Sequence, residues 1–209
     1  MAAFTAKDVA ALREKTGCGM MDCKKALTDA EGNMEKAIDL LREKGLAAAT
    51  KKAGRIAAEG VAFACTNDDN TAGVVIEVNA ETDFVAKNAE FQNFVKICAD
   101  TVMQENPADL DALLACKAAG TDMTVEALVQ DKVLTIGENI KIRRFVRYEG
   151  VVATYIHGGG RIGVLVAAEG ASGDAVKEAL TNIAMQIAAM NPEYISRNDM
   201  SADELAKLR

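Results

Sequence analysis

Glu59-Gly60-Val61 leads into Gly73-Val74-Val75-Ile76-Glu77-Val78, and 90 positions later Glu149-Gly150-Val151 leads into Gly163-Val164-Leu165-Val166. Each stretch sets β-branched runs on either side of a polar or glycine-rich turn, Asn67-Asp68-Asp69-Asn70 in one and Gly158-Gly159-Gly160 in the other. That is the pattern of a β-hairpin. An amphipathic helix ending at Asn-Pro is predicted after each hairpin. The first carries Phe91, Phe94, Val95, Cys98, Ala99 and Val102; the second carries Val176, Ala179, Leu180, Ile183, Ala184 and Ile187. Both sets follow the i, i+3, i+4 spacing of a helix lying on a sheet. They correspond at an offset of 85, as do Asn106-Pro107 and Asn191-Pro192. The chain therefore reads as a hairpin-plus-helix unit written twice.

The fall in offset from 90 to 85 puts five extra residues in the first copy, between hairpin and helix. They lie within Ala80-Glu81-Thr82-Asp83-Phe84-Val85-Ala86-Lys87-Asn88. Loops tolerate neutral differences in length. The content points elsewhere, because Phe84 and Val85 are apolar residues in a connection that the second copy makes without them. Exposing them has no folding rationale, whereas burying a phenylalanine in a partner is worth roughly 1.5–3 kcal/mol.

Beyond Pro107, helices are predicted over residues 109–119 and 125–133. Residues 139–148 then alternate apolar and charged side chains, as a half-exposed strand does. This strand would complete a three-stranded antiparallel sheet for the first copy. The second copy has only a helix start over residues 201–209, so its closing strand is missing: either the chain is a fragment, which is the favoured reading, or the second subdomain is unusually reduced.

The front is helical. Thr5-x-x-Asp8 forms a capping box, with Val9 and Leu12 on the inner face of the first helix. Thr16-Gly17-Cys18-Gly19 breaks it, and a second helix is predicted over 20–29. Glu31-Gly32-Asn33 separates that helix from a third over 34–44, which places Ile38, Leu40 and Leu41 inward and ends at Gly45. Three helices with two tight turns resemble the ubiquitin-associated type of domain. A core this small is marginal. Leu12, Met20 and Met21 accordingly read either as core filler or, for the methionines, as an adaptable contact surface. Lys51-Lys52-Ala53-Gly54-Arg55 marks the linker and reads as a solvated basic helix end. The expected fold is α+β: a three-helix module with its linker over 1–54, a first core subdomain over 55–148, and an incomplete second one over 149–209.

Charge is divided unevenly. Residues 1–54 hold ten Lys/Arg against eight Asp/Glu, and the remainder holds fourteen against twenty-three. An acidic majority disfavours phosphate-backbone binding, so a protein partner is expected rather than nucleic acid. No run reaches the ~18 apolar residues of a membrane helix, and the start of the chain lacks a secretory signal pattern, which points to the cytoplasm. Five cysteines without a C-x-x-C pair, and one histidine, make a poor zinc set and suit a reducing compartment. No catalytic constellation emerges. His157 is the sole histidine, and Ser172, Ser196 and Ser201 sit in no nucleophile elbow. No P-loop is present. Gly158-Gly159-Gly160-Arg161 lies inside a hairpin, where a tight turn explains it better than a phosphate cradle. Arg143 and Arg144 could meet an anion, but the solvated face of a strand suffices.

Longer motifs go further. Leu12-Arg13-Glu14-Lys15-Thr16-Gly17-Cys18-Gly19-Met20-Met21-Asp22-Cys23-Lys24-Lys25-Ala26-Leu27 closely resembles the signature opening of the elongation factor Ts family. Glu81-Thr82-Asp83-Phe84-Val85-Ala86-Lys87-Asn88 is similar to its second signature. Ile136-Gly137-Glu138-Asn139-Ile140, His157-Gly158 and Arg161-Ile162-Gly163-Val164 also match. The resemblance covers essentially the whole chain, in order, although most family members continue further at the C-terminus. It implies guanine-nucleotide exchange on elongation factor Tu, in its GDP-bound and nucleotide-free states, without a cofactor and without catalysis of a covalent step. By the same resemblance, Leu12, Arg13, Met20 and Met21 would dock on the nucleotide domain. Within Thr82, Asp83, Phe84 and Val85, the Asp83-Phe84 tip would wedge beside the nucleotide and disturb its magnesium. His157 and the second sheet would face a more distant β domain. A pairing of two identical chains is compatible with this reading. The competing class is an adaptor that uses the three-helix module without exchange.

Overall fold

The computed structural model describes residues 4–170 and 172–207. Helix α1 (Ala6–Thr16) opens where the sequence places its cap: the Asp8 carboxylate accepts the Thr5 N–H at 2.6 Å and the Thr5 hydroxyl at 2.7 Å. Gly17, at φ 68°, closes it in the left-handed conformation. Helices α2 (Met20–Asp29) and α3 (Met34–Lys52) follow, the latter capped by Asn33, whose side-chain oxygen accepts the Lys36 N–H at 3.0 Å. Val9, Leu12, Cys23, Leu27 and Leu41 form the core between them.

Gly45 does not end α3, which runs on to Lys52. The glycine serves proximity instead of termination. A Cβ placed there would stand 3.3 Å from the carbonyl oxygen of Gln130 in helix α7 (Val125–Ile136), so its absence lets the two helices cross closely. Leu134 of α7 packs into the three-helix core, and the ammonium of Lys52 donates to the Val133 carbonyl at 3.3 Å. Lys51 and Lys52 of the expected basic linker are thus the end of a helix, and Lys52 is seated against α7 rather than fully solvated.

Strands β1 (Glu59–Thr66), β2 (Ala72–Ala80) and β3 (Lys141–Glu149) form the antiparallel sheet in that order. Val74, Ile76 and Val78 face helix α5 (Ala89–Glu105), whose Phe91, Phe94, Val95, Cys98, Ala99 and Val102 are all buried against them. Between β2 and α5 lies a one-turn helix, α4 (Asp83–Ala86). The next helix is shorter than its periodicity suggests: α6 spans Leu110–Ala115. Cys116 is already extended, and the loop after it is pinned by Ala118 N–H to the Met123 carbonyl at 2.9 Å and Ala119 N–H to the Thr101 hydroxyl at 2.9 Å.

The second hairpin, β4 (Val151–His157) with β5 (Ile162–Ala168), forms a two-stranded sheet. It packs on the face of the first sheet opposite α5, with Gly163 against Ala62 and Val75. The triple-glycine turn makes this approach. Gly160 accepts the Ala62 N–H at 2.7 Å, and a Cβ on Gly160 would come within 2.7 Å of a Val61 methyl. Helix α8 (Asp174–Met190) covers the hairpin. Helices α5 and α8 both end on a left-handed asparagine, Asn106 at φ 46° and Asn191 at φ 45°. The buried stripe of α8 differs from the periodic expectation: Leu180, Ala184 and Ala188 are buried, whereas Ala179 and Ile183 are exposed. Two strands support a narrower stripe than three. A short 3-10 turn (Arg197–Asp199) and helix α9 (Ala202–Lys207) complete the described residues.

Candidate functional site

The extra segment of the first unit folds into α4, and the helical turn separates its two apolar residues. Thr82 caps the turn, its hydroxyl oxygen accepting the Val85 N–H at 3.4 Å. With only four residues in the helix, Phe84 and Val85 must point in different directions. Phe84 is 82% exposed, and Val85 is 9% exposed within the main core beneath the sheet. The sequence expectation that both are surplus to folding is corrected for Val85. It anchors the turn that Phe84 tips.

Asp83 sits beside Phe84 and pairs with Lys87 at 2.6 Å, one helical turn on. The hydrogen bond from Lys87 and its positive charge hold the Asp83 carboxyl below the usual carboxylate range, and Arg161, from the second hairpin, adds to this. The tip is thus an exposed aromatic ring beside a firmly ionised carboxylate.

Its base is fastened by residues from distant parts of the chain. The Glu138 carboxylate accepts the backbone N–H groups of Glu81 and Thr82, both at 3.0 Å, and the Thr82 hydroxyl at 2.6 Å. Glu81 reciprocates by accepting the Asn139 N–H at 2.6 Å. The buried Asn139 amide donates to the Arg55 carbonyl at 2.7 Å, and the Arg55 guanidinium lies 3.5 Å from Glu81. Sequence reading did not single out this knot. Its signal lay in two separate motifs, Glu81 opening one and Glu138-Asn139 inside the other, which nothing in the sequence pairs.

The other expected contact residues sit on separate elements. Met20 and Met21 open α2 at 44% and 75% exposure, and Arg13 is exposed on α1. Leu12 is corrected: it is wholly buried in the three-helix core, where it can support a docking surface but cannot form one. His157 ends β4 in an exposed position, its Nδ1 3.2 Å from the Tyr155 hydroxyl. Among the described residues no group of three or more His, Cys, Asp or Glu side chains is placed to hold a metal ion, and all five cysteines are free thiols. Also among the described residues, no helix is long and apolar enough to cross a membrane.

Known proteins bear on this arrangement. Residues 81–209, beginning at the clamped loop, match the family model described as Elongation factor TS. The chain is 53% identical over 209 residues to elongation factor Ts of Syntrophotalea carbinolica, covering 98% of this chain and 68% of that protein. It is 52% identical to elongation factor Ts of Clostridioides difficile, covering 99% of this chain and 69% of that one. The protein is thereby placed among the translation elongation factors. Within that class, the chain belongs to the elongation factor Ts family.

Proposed function

We propose that this protein promotes release of GDP from elongation factor Tu, acting by binding rather than by covalent catalysis, in the cytoplasm. The observation that carries the reading is the α4 tip: an exposed Phe84 beside an ionised Asp83, on a turn anchored by Val85 and fastened by Glu138. A phenylalanine held in water by a fixed scaffold gains free energy only on meeting a partner, roughly 1.5–3 kcal/mol when fully buried. Inserted beside a bound nucleotide, the tip would disturb the magnesium ion and phosphate-binding groups of the GTPase, with Asp83 repelling the phosphates. Exchange follows from linkage, because a factor that binds the empty GTPase more tightly than the loaded one weakens nucleotide binding by the same factor. A thousandfold faster release corresponds to about 4 kcal/mol off the barrier.

In this reading residues 1–54 form a ubiquitin-associated-like docking module that presents Arg13, Met20 and Met21. Residues 55–148 carry the exchange loop, and residues 149–209 form a second, related subdomain that presents His157. The left-handed asparagine ends of α5 and α8 support a common origin for the two units. Release of a fluorescent GDP analogue from elongation factor Tu, followed with and without this chain, tests the proposal. Acceleration is the expected result. Binding without acceleration would leave the adaptor reading, for which exposed Met20 and Met21 supply a surface.

A further inference from the structure

We infer that Glu138 is a positioning residue for the exchange loop, fixing the Asp83-Phe84 tip relative to the helical front module. The inference rests on the exchange reading of α4 given above. Glu138 makes no hydrogen bond to Phe84 or Asp83, but it holds the residues from which they project. Its carboxylate takes the three donors at the N-terminal side of α4: Glu81 N–H, Thr82 N–H and the Thr82 hydroxyl. These bonds to an ionised acceptor are stronger than neutral ones and directional, so they fix where the turn starts. Because Thr82 also caps α4, a change at Glu138 reaches Phe84 through a single residue.

The far side of the clamp reaches the front module by two routes. Glu138 directly follows α7, whose left-handed stop is Gly137 at φ 89°. Helix α7 crosses α3 closely at Gly45 and contributes Leu134 to the three-helix core. The neighbouring Asn139 amide holds the Arg55 carbonyl in the segment that leaves α3. Glu81 closes the ring by accepting the Asn139 N–H and facing the Arg55 guanidinium. Three chain segments, far apart in sequence, thus meet in one knot beneath the tip. A docked module would present its partner to a tip whose position is already set, and positioning of this kind is what rate, rather than affinity, depends on.

The test compares Glu138→Ala, Glu138→Gln and Phe84→Ala in the GDP-release assay, with the release rate at saturating factor measured separately from the half-saturating concentration. Glu138→Ala should lower the saturated rate about tenfold or more. Its half-saturating concentration should stay within about threefold of wild type, because the docking surfaces are intact. The amides of Glu81 and Thr82 should exchange with solvent about tenfold faster. Glu138→Gln keeps an acceptor oxygen and should recover most of the rate. A wild-type saturated rate in Glu138→Ala, with those amides loosened, would overturn the positioning role. If Phe84→Ala also released GDP at the wild-type rate, the failure would belong to the exchange reading of the loop instead. Should Glu138→Ala not fold, Thr82→Val removes one of the three donors together with the cap by which the clamp reaches α4. It should lower the saturated rate with half-saturation unmoved, and a wild-type rate there would equally overturn the proposal.

Discussion

Phe84 and Val85 are neighbours in the chain with opposite surroundings: the phenylalanine ring stands 82% exposed, and the valine is 9% exposed in the main core. One helical turn thus presents one side chain to water and the next to the core. Phe84→Ala should leave thermal stability nearly unchanged, within about 0.5 kcal/mol as for most exposed sites, while sharply slowing GDP release. Val85→Ala should cost about 1–2 kcal/mol of stability through lost burial and an imperfectly filled site, and should slow release only as far as the turn that carries Phe84 loosens. Denaturant unfolding and GDP release, measured on both variants, check this contrast. A stability loss in Phe84→Ala as large as that in Val85→Ala would contradict it.

The close crossing of α3 and α7 makes Gly45 a steric requirement. A Cβ meets the Gln130 carbonyl oxygen at 3.3 Å, and the Leu134 side chain lies 3.8 Å away. Gly45→Leu should force the helices apart and cost about 1–3 kcal/mol, in the range of overpacked cores. Gly45→Ala sets a smaller clash against better helix propensity and should cost less. The ranking of the two variants by urea midpoint is the measurement.

Leu12 and Met21 come from one sequence motif and should respond differently. Leu12→Ala opens a cavity in the small three-helix core and should destabilise by about 2–5 kcal/mol. Met21→Ala, at a 75% exposed position, should leave the melting temperature alone and weaken binding to elongation factor Tu. Calorimetry of unfolding and of binding would read both effects.

Glu77 links the middle and edge strands through Arg144 at 2.7 Å and Arg143 at 2.9 Å. Burial pushes its carboxyl up, but the bonds from Arg144 and Arg143 outweigh this and hold it below its ordinary value of 4.5. A carboxylate depressed on folding contributes stability that is present above the unfolded value and is lost as pH falls through the folded one. Because the arginines are largely exposed, that contribution should be on the order of 0.5–1 kcal/mol. Glu77→Gln should therefore lose this much at neutral pH and progressively less as the pH falls below 4.5 through the folded value, where wild type loses it too. Equal losses at neutral and acid pH would assign the effect to packing.

Several elements were legible because their signals are local. The capping box at Thr5 and Asp8, the bounds of α2, both hairpins and the buried stripe of α5 depend on residues within a few positions of one another. The continuation of α3 was not legible. Gly45 weakens a helix locally, and its compensation comes from the close approach of Gln130, 85 positions further along the chain. The shortened α6 has the same kind of origin, since Thr101 holds the loop that follows it. Within the candidate site, the apolar excess marked a loop that does expose Phe84, but periodicity cannot assign inside and outside over a four-residue helix. The burial of Val85 therefore had to come from packing.

The sequence by itself determined where the hairpins, the front helices and the unusual loop lie, because turn chemistry, capping and periodic burial act over short distances. It also determined, through its long motifs, the family to which the chain belongs. Only the tertiary structure decided which side chains of that loop face water and what fastens it. Glu81 lies 57 positions from Glu138, and Asn139 lies 84 from Arg55. Contacts over such separations leave no periodic trace, because each partner's neighbours in sequence are occupied with a different element of the fold.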